Sequence, residues 1–335
     1  MARKRARYRL NRFQSKSHTM IRSKKVRLLI IGASGFIGQE LLRLLGPERA
    51  VGTFNTHKFA GGVHFDACTM RLTQLPIGMM SEITHCAILI ANPLIDDYAR
   101  DPQRSWDMNV RAVIDLVQDL RSFGIVPVFA SSDAVFDGRT GSYDEEAPLS
   151  PIVTYGRHKA VIEWYLRSIP QPWLITRMSK TISTGAVKRS LIGGWMEDLH
   201  AGRHLRCAHD QRFSPASVED VARALIALSE RGATGVFNVG GPHALSRLEL
   251  LEMLVNYIRL RVPLTADITP CSIHDFNFAE RRPQDTSLDS RKVYATVGFA
   301  FRSAEKICEE AAQMFADQRA QLVGSTLDAG RSRPG

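Results

Sequence analysis

The stretch "VRLLIIGASGFIGQELLRLL", residues 26–45, restricts the fold more than any other part of the chain. A short apolar run ends at Gly32, and a helical pattern with Phe36, Ile37, Leu41, Leu44 and Leu45 on its buried side begins directly after it. An apolar run this brief, without polar alternation, reads as a strand covered on both faces, as in a parallel sheet. Between strand and helix stand Gly32, Gly35 and Gly38 in G-x-x-G-x-x-G spacing. Gly32 permits a tight turn, Gly35 lets the backbone approach a pyrophosphate, and Gly38 lets the helix pack closely on the sheet. The N–H groups of the helix start, around Ser34, Gly35, Phe36 and Ile37, would then face the phosphates.

The remainder repeats the pattern. Strands are expected at 50–54, 64–68, 85–92, 126–132, 173–179 and 235–241. Helices are expected around 106–122, from Tyr155, at 191–201, at 218–230 and at 246–260, the last opened by a Ser-x-x-Glu capping box. The fold class is α/β, a doubly wound parallel sheet of Rossmann type with a smaller C-terminal substrate-binding region. Residues 24–178, rejoined by 214–242, form the dinucleotide-binding domain in this reading; 179–213 and 243–320 form the substrate-binding region, and 321–335 a frayed tail.

The net charge of +10 is concentrated at one end, where residues 1–27 hold 11 of the 44 Lys and Arg and no acid. The remainder carries 33 basic against 34 acidic residues, so the body is neutral and nucleic acid is not an expected partner. Residues 1–23 read as a disordered basic arm, with Met20 as a candidate start; an Arg-rich targeting segment and an arm for acidic surfaces are the competing readings. There is no apolar run long enough for a membrane span, and five scattered cysteines without C-x-x-C spacing argue for a reducing, cytoplasmic setting. His200 and His204 lie one helical turn apart without a carboxylate pattern, and no metal site is expected.

The second strand should select the cofactor. NAD sites place an acid about 20 residues after the glycine turn, but "VGTFNTHKF" has none from Val51 to Phe59. Asn55, His57 and Lys58 suit the additional phosphate of NADP, so NADP is expected, with NAD as the alternative. Asp66, at the third strand, is a candidate adenine contact.

The fifth strand ends in "FASSDAVFDG", and Ser132 lies 23 residues before the Tyr155 of "YGRHK". Tyr155 and Lys159, spaced i, i+4, share a helical face near the C-terminal ends of the central strands. An ammonium near a phenol favours the phenolate, and the phenol can protonate an alkoxide as hydride arrives.

"GASGFIG", "SSDAVFDG" and "YGRHK", in this order, resemble the extended short-chain dehydrogenase/reductase superfamily, and within it the dTDP-4-dehydrorhamnose reductase-like group of nucleotide-sugar reductases. "HDQRFSPASVEDVA" (209–222) and "RRPQDTSLDSRKV" (281–293) extend the likeness over about residues 26–315. The resemblance implies Ser132, Tyr155 and Lys159 as the catalytic set, with Lys159 also holding the nicotinamide ribose. It implies cofactor contacts at Ala91, Asn92 and Met178, and a supporting role for Asn109 toward Lys159 through water. Ala134 departs from the family, which has an aromatic there. The implied activity is NADP-dependent reduction of a nucleotide-linked keto-sugar, and the helices around 106–122 and 155–168 imply a homodimer. The alternatives are a nucleotide-sugar epimerase with the same triad, and a non-catalytic NADP-binding subunit like the β subunit of methionine adenosyltransferase.

Overall fold

The computed structural model describes residues 26–92, 94–183 and 190–331, so the basic arm at 1–23 lies outside the described residues. Strand β1 (Leu28–Ile31) is wholly buried, and α1 (Phe36–Leu45) lays Gly38, Leu41 and Leu45 inward. Next come β2 (Ala50–Phe54), β3 (Val63–His64), the single turn α2 (Ile77–Met80) and β4 (His85–Ile88). Two short helices, α3 (Ile95–Arg100) and α4 (Pro102–Trp106), run through a π turn (Asp107–Arg111) into α5 (Ala112–Ser122). Strand β5 (Val126–Ser132), helix α6 (Thr154–Ser168) and strand β6 (Leu174–Met178) carry the expected chemistry. The short strands β7 (Thr181–Ile182), β8 (Leu205–Ala208), β9 (Arg212–Phe213) and β10 (Ala216–Ser217) are interleaved with helices α7 (Leu191–His200) and α8 (Val218–Glu230). The chain ends through β11 (Gly235–Val239), β12 (Leu245–Ser246), α9 (Arg247–Arg259), β13 (Ile268–Cys271), α10 (Arg291–Val297) and α11 (Ala304–Arg331).

The central sheet has seven strands in the order β11-β6-β5-β4-β1-β2-β3, and every pairing in it is parallel. All C-terminal strand ends therefore meet along one edge. The order reverses at β1, between β4 and β2, which opens the crevice where such sheets take ligands. Hydrophobic clusters cover both faces, one under α1 and α8, the other under α5 and α6. A third core, built on α7, α9 and α11, lies outside the sheet.

Most expected elements are present, with boundaries shortened. The third strand is two residues rather than five, and the fourth stops at Ile88, with Leu89 N making a last bond to Ile31 O at 3.0 Å. The expected capping box is formed, with Ser246 and Glu249 bonded reciprocally. Helix α11 extends to Arg331, and its buried face is set by Ile307, Ala311, Ala312 and Phe315. The parallel pair β8–β13 was not expected, since its strands are only four residues long and are interrupted by Arg206, Thr269 and Pro270.

Candidate active site

The glycine turn provides a cradle. Gly32 has φ +89°, and a Cβ on Gly38 would lie 2.6 Å from Ala33 Cα, so helix and turn meet at a distance only glycine allows. Gly35 is the N-cap of α1, no side chain caps that end, and its first turn has no acid. The amides at Phe36 and Ile37 are thus left to a ligand, an arrangement that fits a dinucleotide pyrophosphate. Ser34 turns its carbonyl to Gln39 Nε2 at 3.1 Å. Beyond β2, Asn55, His57 and Lys58 are exposed, and His57 Nδ1 is 2.9 Å from Thr56 Oγ1. Asp66 is committed to its own turn, accepting from Cys68 N at 3.0 Å and Thr69 Oγ1 at 2.9 Å.

Ser132 closes β5, in register with Met178 at the end of β6. Helix α6 brings Tyr155 and Lys159 against this edge. Its approach is fixed at Gly156, where a Cβ would lie 2.0 Å from Ala134 O. The helix start is held by Glu280, whose carboxylate accepts from Thr154 N at 2.8 Å and Thr154 Oγ1 at 2.8 Å. The same segment is anchored by Arg282, which donates to Asp96 at 2.5 Å.

Tyr155 packs edge-on against Tyr98, with ring centroids 5.1 Å apart. Burial raises its phenol to about 12, opposed by a hydrogen bond with Ser132 and reinforced by the charge of Asp133. The Lys159 ammonium donates to Ala130 O at 2.7 Å and sits 5.7 Å from the Tyr155 ring centroid. Burial lowers it to about 7, partly offset by Glu163 one turn along the helix. Between that value and about 10.4 in the unfolded chain, the unfolded state holds the additional proton. Stability should therefore rise with pH across this window. Urea midpoints at about pH 7 and about pH 9.5 check this, and Lys159→Met should flatten the rise.

Asn109 sits in the π turn, a distortion often found at functional sites. Its amide donates to Ser105 O at 2.8 Å and accepts from Tyr98 Oη at 3.1 Å, so its direct partners are these rather than Lys159. Tyr98 Oη in turn accepts from Asn92 N at 2.9 Å. Ala91 and Asn92 thus lie on the loop above β4, with Asn92 tied to the tyrosine that supports Tyr155. Tyr98 and Asp133 are further residues of the site: Asp133 adjoins Ser132 within "SSDAVFDG", a signal present in the sequence, whereas Tyr98 stands in no motif. His200 and His204 have separate surroundings, one stacked on Phe315 and the other 2.9 Å from Thr269 Oγ1.

A family model described as the RmlD substrate binding domain matches residues 26–316. The chain belongs to that family. This bears out the likeness to the dTDP-4-dehydrorhamnose reductase-like group of the extended short-chain superfamily. The "Probable low-salt glycan biosynthesis reductase Agl14" of Haloferax volcanii is 25% identical over 280 residues, 80% of this chain and 91% of the relative. "Methionine adenosyltransferase 2 subunit beta" of Rattus norvegicus is 24% identical over 304 residues, 84% of this chain and 85% of the relative. A solved dTDP-4-dehydrorhamnose reductase from Bacillus anthracis, in complex with NADP, shares the fold with a TM-score of 0.70 at 21% identity, covering 85% of this chain and 98% of that one. The reductases of the family agree with the expectation of an NAD(P)-dependent oxidoreductase of sugar-nucleotide type. Among the described residues, no helix is long and apolar enough to cross a membrane.

Proposed function

We propose that the chain is an NADP-dependent reductase of a nucleotide-linked keto-sugar. The observation that carries this reading is the convergence of Ser132, Tyr155 and Lys159 on the edge of the sheet that also bears the uncapped start of α1. When bound, the reduced nicotinamide supplies the hydride. Phe36 and Ile37 amides would hold the pyrophosphate, the acid-free end of β2 with Asn55, His57 and Lys58 favours NADP over NAD, and Lys159 would reach the ribose beside Met178. Tyr155 holds its proton at Oη and delivers it to the carbonyl oxygen, and its high proton affinity keeps it loaded until negative charge develops there. Exposed Trp106 (40%) and Trp164 (54%), on the segments expected to face a second copy, support a homodimer.

The test uses purified full chain with dTDP-4-dehydrorhamnose and NADPH or NADH, following loss of nicotinamide absorbance. Turnover with preference for NADPH is expected. A thermal-shift panel accompanies it, since a cofactor at 100 times its Kd stabilises by about 2.7 kcal/mol. A second reading, a non-catalytic binding subunit, is favoured by the methionine adenosyltransferase relative. It predicts stabilisation by NADPH, no NADPH oxidation with any keto-sugar, and capture of a methionine adenosyltransferase catalytic subunit.

A further inference from the structure

The loop that leaves β4 forms one wall of the glycine cradle. Strands β1 and β4 run side by side with Ile31 opposite Ile88, and Leu89 N still donates to Ile31 O at 3.0 Å. A Cβ on Gly32 would come within 3.3 Å of the Leu89 carbonyl. A dinucleotide on the cradle therefore also meets the 89–92 loop, which must hold one shape to receive it. The Asn92 side chain is committed to the start of α3, accepting from Leu94 N at 2.9 Å and donating to Asp97 Oδ2 at 2.9 Å. The Asn92 main chain is held by Tyr98.

Tyr98, on α3, is 1% exposed and engaged at both ends of its side chain. Its Oη accepts from Asn92 N at 2.9 Å. Its one proton lies between Asn109 Oδ1 at 3.1 Å and Asn92 O at 3.3 Å. Asn109 is itself fixed by donating to Ser105 O at 2.8 Å. The hydroxyl thus joins the loop above β4 to the π turn. The ring faces α6 instead. It lies 5.1 Å from the Tyr155 ring and 5.8 Å from that of His158, which in turn packs 5.6 Å from Trp106. One side chain therefore touches the loop beside the cradle and the proton donor, and does so with different atoms.

We infer that Tyr98 positions both sides of the reaction: its hydroxyl sets the 89–92 loop for the cofactor, and its ring sets Tyr155 for proton delivery. Removing the hydroxyl leaves the wall against Tyr155 but releases the Asn92 N–H. A loop that must then be ordered on binding weakens cofactor affinity. Removing the ring as well lets Tyr155 tilt from its place, and a misplacement of about 1 Å can cost about 100-fold in rate. Tyr98 acts through Asn92 and Tyr155 and is a positioning residue, not a group that touches substrate. The inference rests on the reductase reading for its kinetic half, whereas the cofactor half is testable without a substrate.

Full-length wild type, Tyr98→Phe and Tyr98→Leu are compared by direct NADPH titration and by single-turnover oxidation of NADPH with saturating dTDP-4-dehydrorhamnose. Tyr98→Phe should raise the NADPH Kd by about 3–10-fold, the scale of one net hydrogen bond, and keep the single-turnover rate within about twofold. Tyr98→Leu should raise Kd similarly and also lose about 10-fold or more in that rate. A merely structural residue would lower the melting temperature and the active fraction, but leave Kd and the rate per folded molecule unchanged. If Tyr98→Leu does not melt cooperatively, Tyr98→Met, whose flexible side chain fills irregular space, takes its place. An unchanged Kd in Tyr98→Phe overturns the loop half of the inference, and equal rates in the two variants overturn the Tyr155 half. A wild type that binds NADPH but does not oxidise it with the sugar defeats the reductase reading and the Tyr155 half with it, while the titration still decides the loop. A wild type that does not bind NADPH overturns the whole.

Discussion

Replacing Tyr155 by Phe should lower kcat for NADPH-dependent reduction by about 10²–10⁴-fold, the contribution of a positioned general acid. NADPH affinity should stay within about twofold, because the ring and its edge-on contact with Tyr98 remain and only the hydroxyl is lost. The helix is also undisturbed, since its approach is fixed by Gly156 and its start by Glu280 rather than by the phenol. Steady-state rates paired with a direct binding titration separate the two effects. Full activity in the variant would sink the proposed mechanism, and a lost rate with equally lost binding would point to a cofactor contact instead.

The largest effect on stability should come from Glu163→Ala. Glu163 and Arg177 are both 0% exposed. The guanidinium donates to Glu163 through Nη2 at 2.9 Å and Nε at 3.1 Å, and Ser131 Oγ adds a bond at 2.6 Å. Arg177 Nη1 also bonds Glu145 O at 3.1 Å, and the plane lies 5.1 Å from the Phe136 ring centroid. Removing the acid leaves a buried, uncompensated cation, at a cost of about 3–5 kcal/mol. Urea denaturation should show the shift in midpoint with little change in slope. A loss below about 1 kcal/mol, the scale of an exposed pair, would mean that water reaches the guanidinium.

What was readable in the sequence was local. The glycine turn announces itself because strand, turn and helix are contiguous, and Tyr155 and Lys159 are found together because one helical turn separates them. The partners that tune them are distant along the chain. Glu280 reaches Thr154 across 126 residues, and Arg282 reaches Asp96 across 186. No periodicity links such pairs; only the closing of one lobe over the other does. Asn109 shows a subtler limit: its motif placed it near the site, but its direct partner Tyr98 lies outside any motif, and the π turn that carries it is not anticipated by a 3.6-residue pattern. The weak strands β8 and β13 were passed over for a third reason, because each is made acceptable by the other and neither by its own residues.

The position of β11 at the sheet edge has a bearing on how the chain can be made or divided. Six of the seven strands are complete by Met178, but β6 receives its outer neighbour only at Gly235–Val239. A nascent chain of about 200 residues, or a fragment cut there, holds a nearly finished sheet with the bare rim of β6 facing outward. Unpaired strand rims recruit other chains. The nucleotide-binding half is therefore not a removable cassette: an excised version must be stitched to residues beyond 234, and during synthesis the intervening segment is the interval in which the protein is most exposed to mispairing.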